Sequence, residues 1–218
     1  MYEAVLTVLV WAIPLVLAIT LHEAAHGYAA RQLGDPTAYL AGRISLNPLK
    51  HIDPVGTVIV PGAILLMGAL TGTSIPPFGW AKAVPVNFGR LRHPKRDMLW
   101  VAAAGPASNL AQAFAWGLMA SLQQLLGGYG GELFATMTQA GVLANLALML
   151  LNLLPIPPLD GGRIMVSLLP SRQAWQFAKI EPYGFFILIG LLYLHVLDYV
   201  LWPLMTPLAT LIFRLTGN

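Results

Sequence analysis

Residues 4–31 form an almost wholly apolar stretch, and near its end stands TLHEAAHGYAA, with His22, Glu23 and His26 where a membrane-spanning segment ordinarily carries no ionisable group. Each such group is costly in hydrocarbon unless paired or bound to metal, so the three together demand a chemical reason. At 3.6 residues per turn, His22 and His26 lie one turn apart on one helix face, and both imidazoles can reach a single metal ion. Glu23 stands beside the pair and outside it. Two neutral imidazoles with a neighbouring carboxylate form the arrangement in which zinc holds a water and the carboxylate takes its proton. HExxH fixes only three positions and also arises by chance on soluble helices. The preceding IPLVLAIT and the small residues Ala24, Ala25 and Gly27 favour the metal reading here.

The rest of the chain agrees with a membrane setting. Of its 218 residues 57% are hydrophobic and only 10% charged, too little polar surface for a soluble globule of this size. One integral membrane domain over 1–218 is expected. No basic region precedes the first apolar run, and cleavage after it would discard HEAAH, so it reads as a permanent span and not a signal peptide. The net charge of +3 comes from basic residues gathered in a few loops, as the positive-inside rule produces, and nucleic acid is a poor explanation for it. The absence of cysteine excludes disulfides, thiol nucleophiles and cysteine metal ligands.

Residues 4–31 would make a helix of roughly 42 Å, more than the ~30 Å hydrocarbon core requires. Further spans are expected at 98–126, 132–154 and 183–202, with the GGYGG turn at 127–131 joining an antiparallel pair and PLMTPLATLIFRL closing the chain as a short helix. The apolar segment 55–70 is short, is interrupted by Pro61 and Gly62, and is flanked by two basic loops. A segment that enters the bilayer and returns as extended chain through PPFGWAKAVPVN (76–87) keeps both loops on one side. The fold class is therefore an all-α polytopic membrane protein, a bundle of about five to six transmembrane helices with a re-entrant or extended membrane-embedded segment.

After the 132–154 span, LPIPPLDGGR breaks the helix, and Asp160 falls at the same cytoplasmic depth as HEAAH. An unwound turn there can aim one carboxylate into the bundle and complete a His, His, Asp set with a fourth position open, as catalytic zinc requires. The alternative is an aspartate that caps the following helix.

HEAAH, GPASN at 105–109 and NLLPIPPLDGG at 152–162 together resemble the site-2 protease family of intramembrane zinc metalloproteases. The three motifs occur in the family's order and span about residues 5–165, and the chain resembles the compact branch without PDZ or CBS domains. The resemblance implies that His22, His26 and Asp160 bind one zinc per chain, that Glu23 is the catalytic base, and that Asn152 helps hold the substrate backbone. Asn109 is a family position of structural kind. A transmembrane protein substrate, the lipid bilayer as medium, and a multi-pass location in the cell membrane with the active site toward the cytoplasm are also implied. Whether the chain forms a homo-oligomer is left open.

His51, in NPLKHIDPVG, either gates the metal entrance or orders a turn with Asn47 and Asp53. The 76–87 segment either offers an edge for strand pairing with an unwound substrate or serves as a proline-rich linker. His93 reads as a solvated loop residue, and His195 with Asp198 as an interfacial pair. No Gly-x-Ser-x-Gly turn exists for a serine mechanism, and an aspartyl mechanism would need Asp160 and Asp198 at one depth. A non-catalytic zinc-binding membrane protein or transporter is the alternative function, and it leaves Glu23 without a use.

Overall fold

The computed structural model describes residues 2–71, 79–123 and 128–217, and among them the regular structure is entirely helical. Helix α1 (Tyr2–Gln32) carries the first apolar run. Val10, Pro14, Ala18, His22, His26 and Ala30 follow one another at intervals of four and are all buried, so they make one inward stripe. The opposite face presents Trp11, Ile13, Leu15, Val16 and Leu17 outward. A helix that is apolar on its outer face and carries its polar groups inward is built for lipid surroundings.

Short helix α2 (Thr37–Leu40) follows, then a 3₁₀ turn at Pro48–His51. Asn47 Oδ1 accepts from Leu49 N at 3.0 Å, and Asp53 Oδ1 accepts from Val55 N and Gly56 N at 3.0 and 2.7 Å. These two residues cap the turns that begin at Pro48 and Pro54. A π-helical stretch at Pro54–Ile59 runs straight into α3 (Val60–Thr71), so the backbone stays helical through Pro61 and Gly62. The chain is extended over 79–87; the first part of the expected return segment, 76–78, lies outside the described residues.

Helix α4 (Pro94–Ala120) is central, packing against α1, against α5 (Gly128–Asn152) and against α6 (Asp160–Leu168). Helix α5 begins inside the GGYGG that reads as a turn, at Gly128. After α6 come α7 (Ser171–Ala178), α8 (Glu181–Tyr193) and α9 (Val196–Leu215). Trp116 of α4, Val142, Leu146 and Met149 of α5, and Met205 and Ile212 of α9 form the largest apolar core.

The expected span at 183–202 is not one helix. Leu194 and His195 break it, His195 taking a left-handed backbone (φ 56°), and a new helix starts at Val196 and continues through Pro203 and Pro207 to Leu215. A continuous apolar run does not register a single left-handed residue, and proline is tolerated where a helix is packed in a bundle. Among the described residues, Val10–Gln32, Gly130–Asn152 and Val196–Leu215 are long and apolar enough to cross a membrane.

Candidate metal centre

The inward stripe of α1 points His22 and His26 at α4, and the turn after α5 delivers Asp160 to the same place. That turn is tight. A Cβ on Gly161 would sit 2.3 Å from the carbonyl oxygens of Leu153 and Leu154, so only glycine lets the chain fold back on the end of α5. The Pro157–Pro158 bond within it is cis. Asp160 becomes the first residue of α6, and it is buried, as are both histidines.

His22 Nε2 and His26 Nε2 are 3.0 Å apart, and they lie 3.1 and 3.2 Å from Asp160 Oδ2. The other ring nitrogens are committed as donors: His26 Nδ1 to the Val101 carbonyl at 2.7 Å and His22 Nδ1 to Asn109 Oδ1 at 2.5 Å. With Nδ1 engaged on each ring, it is Nε2 that turns toward the carboxylate. Asp160 Oδ2 is itself buried, and among the described residues it has no hydrogen-bond donor. Three such donor atoms converging in a buried place are suited to a shared cation. Ligand atoms about 2.0–2.2 Å from a tetrahedral ion lie about 3.3–3.6 Å from one another, close to the separations found, so the three residues fit a metal with a fourth position free.

Gly105 makes room for this set. A Cβ there would lie 2.4 Å from His26 Nε2 and 2.6 Å from His22 Nε2, so α4 approaches the two rings with bare backbone. Glycine inside a helix costs about 0.5–1 kcal/mol relative to alanine, and the close approach is what it supplies in return.

Glu23 is half-buried and turned sideways from the ligand pair, its Oε2 accepting from Val84 N at 2.7 Å. Val84 belongs to the extended segment 79–87, which is held at alternate residues 80, 82 and 84 and again at Asn87. Trp80 N donates to Gly56 O at 3.1 Å and Lys82 N to His51 O at 2.9 Å, with Val84 N on Glu23 and Asn87 N on Asp35 Oδ2 at 2.6 Å. Thr57 Oγ1 and Arg43 Nη2 donate to the carbonyls of Trp80 and Lys82 on that same edge. Among the described residues the N–H groups of Ala81 and Ala83 have no partner, as the two-residue period of extended chain dictates.

The model of peptidase family M50 matches residues 129–195, from the first turn of α5 to the break at His195. The Bacillus subtilis protein named "Putative zinc metalloprotease YwhC" is 38% identical over 200 residues, covering 88% of this chain and 84% of the relative. The chain belongs to peptidase family M50. It is thereby a membrane metallopeptidase of the site-2 protease family. The Mycolicibacterium smegmatis protein named "Putative zinc metalloprotease Rip2" is 32% identical over 178 residues, 81% of this chain and 63% of that one. No solved structure matches the chain.

The other residues singled out in the sequence take these places. Asn109 of GPASN is wholly buried behind His22, donating to Ala18 O at 3.2 Å and to Asn145 Oδ1 at 2.9 Å. Asn152 is half-buried at the end of α5, its Nδ2 turned back on Leu148 O at 3.0 Å. His51 is buried, its Nε2 on Ser45 O at 2.9 Å, and its main-chain carbonyl accepts from Lys82 N at 2.9 Å. His195 pairs with Asp198 at 2.8 Å, exposed, across the break between α8 and α9. Sequence reasoning missed Gly105, Val84 and Asn145. Gly105 stands inside the GPASN motif, and Asn145, two turns before Asn152 in an apolar helix, carries the same signal that singled out His22.

Proposed function

We propose that this M50 protein is an intramembrane zinc metalloprotease that hydrolyses a peptide bond within or near a transmembrane segment of a membrane-protein substrate. His22, His26 and Asp160 hold one zinc per chain, and Glu23 is general base and then general acid. The observation that carries this reading is the convergence of three buried acceptor atoms with Glu23 in the next position on the same helix.

Zinc held there supplies the Lewis acidity that makes water a nucleophile near neutral pH. Glu23 takes the proton from the attacking water and delivers it to the leaving amine. The N–H groups of Ala81 and Ala83, without partners among the described residues, support pairing with an unwound substrate as a strand, and Asn152 donates to the substrate backbone once its Nδ2 leaves the Leu148 carbonyl. His51 acts on substrate entry through the segment it anchors. The loops at 31–53, 82–97 and 163–181 meet at the metal end, tied by Arg92 N on Leu33 O and Lys95 Nζ on Leu169 O, and they hold every basic residue except Arg214. That asymmetry supports a multi-pass protein of the cell membrane with its site toward the cytoplasm.

The test is cleavage of a single-span substrate by the purified protein in lipid nanodiscs, with the cut mapped by mass spectrometry. Chelation should stop cleavage, zinc should restore it, and the cut should fall within or beside the span. Cleavage indifferent to chelation would refute the reading.

A further inference from the structure

His22 is not held by Asn109 alone. Asn109 Nδ2 donates to Asn145 Oδ1 at 2.9 Å, and Asn145 Nδ2 donates in turn to the Gly141 carbonyl at 2.8 Å. Asn109 and Asn145 are both 0% exposed, and the chain of bonds crosses α5, α4 and α1 before it reaches the metal centre. It also has a direction. The Gly141 oxygen is a main-chain carbonyl and only accepts, so Asn145 turns its nitrogen to it and its oxygen to Asn109. The Ala18 carbonyl, 3.2 Å from Asn109 Nδ2, likewise only accepts. Both Asn109 N–H groups are then engaged, Oδ1 is left for His22, and His22 must donate from Nδ1.

We propose that Asn145 is a positioning residue of the metal centre: through Asn109 it fixes the tautomer and ring orientation of His22, whose Nε2 lone pair then faces Asp160. The proposal rests on His22 being a ligand. It gives Asn145 a task beyond joining helices, which a buried amide between spans also does. Remove the Asn145 oxygen and Asn109 loses one of two acceptors that orient it. Its amide can then turn a nitrogen toward His22, where two donors would meet.

The test is zinc affinity of the full chain in detergent micelles, measured by competition with a chromophoric chelator, so no turnover is needed. Asn145→Leu keeps the bulk and deletes the acceptor, and it should weaken zinc binding by about 10–100-fold, the usual effect of losing an outer-shell partner. In an Asn109→Asp background, the carboxylate offers His22 an acceptor whichever way it turns. There Asn145→Leu should cost little more. Unchanged affinity in Asn145→Leu, or an equal loss in both backgrounds, would overturn the proposal in favour of packing alone. Asn145→Thr and Asn145→Val cover the case in which leucine does not fold: they share a shape, but only threonine can accept from Asn109. The threonine variant should bind zinc more tightly, and equal affinity would overturn the proposal. His22→Ala separates the two possible failures. Retained affinity there removes His22 from the ligand set and the proposal with it, whereas lost affinity there with unchanged Asn145→Leu defeats the proposal alone.

Discussion

Val84 donates its main-chain N–H to the Glu23 carboxylate at 2.7 Å, which ties the extended segment to the helix that carries both histidines. One carboxylate oxygen is thereby fixed, and the rotamer of Glu23 is set by backbone from a distant part of the chain. The segment proposed to offer substrate an edge and the residue assigned to proton transfer are thus one mechanical unit.

Glu23→Gln tests that assignment with little disturbance, because the glutamine oxygen can still accept from Val84. Fold and zinc content should be unchanged while cleavage falls by about 10²–10⁴-fold, the range for a lost general acid–base group. Metal analysis beside a cleavage assay checks both halves. Zinc lost together with activity would make Glu23 a ligand.

Gly105→Ala adds one methyl at a helix position where alanine is ordinarily favoured. Here the new carbon would fall 2.4 Å from His26 Nε2, so α4 must retreat or the ring must turn. Zinc content should drop with the helical circular dichroism intact. Full zinc occupancy in this variant would show that the rings are not fixed against α4.

The pH dependence of stability should carry a contribution from Asp35, which lies beyond α1 and is wholly buried. Burial pushes its carboxyl up, but the Thr37 hydroxyl, the Asn87 and Thr37 amides and the charge of Arg90 outweigh it, and the group lies below the ordinary aspartate value. A lowered folded-state value means stability that is fully present above the unfolded value and lost as pH falls through the folded one. The gap in thermal midpoint between wild type and Asp35→Asn should therefore be constant above the reference value of 3.8 and shrink below it. A gap that widens in acid would contradict the assignment.

Single cysteines at Leu46, Arg92 and Arg172, introduced into a chain that has none, should all react with a membrane-impermeant reagent from the same face of the membrane. Labelling at position 92 from the opposite face alone would break the shared end of the bundle into two.

Much of the site could be read before the fold was known, because its chemistry is local. His22, Glu23 and His26 sit within five residues on one helix, and Asp160 announces itself as an acid at a proline-broken helix end. What sequence could not show was the set of contacts between distant segments. An asparagine at 145 signals only that something polar faces inward, not that Asn109 and the Gly141 carbonyl are its partners. Gly105 looks like any small residue in a span until the rings lie against it. The break at His195 was hidden for the opposite reason. Apolar pattern reports which residues avoid water, and a single left-handed residue in an apolar run leaves that pattern intact.

The proposed ligand set joins the first helix to the start of α6, and most of the fold lies between them along the chain. An ion held there works as a reversible cross-link, and without it three buried acceptors face one another unshielded. Thermodynamic linkage then makes the folded protein more stable by about 2.7 kcal/mol when free zinc exceeds its dissociation constant a hundredfold. Zinc supply outside the protein would thus set not only how fast a copy cuts but how long an idle copy escapes degradation.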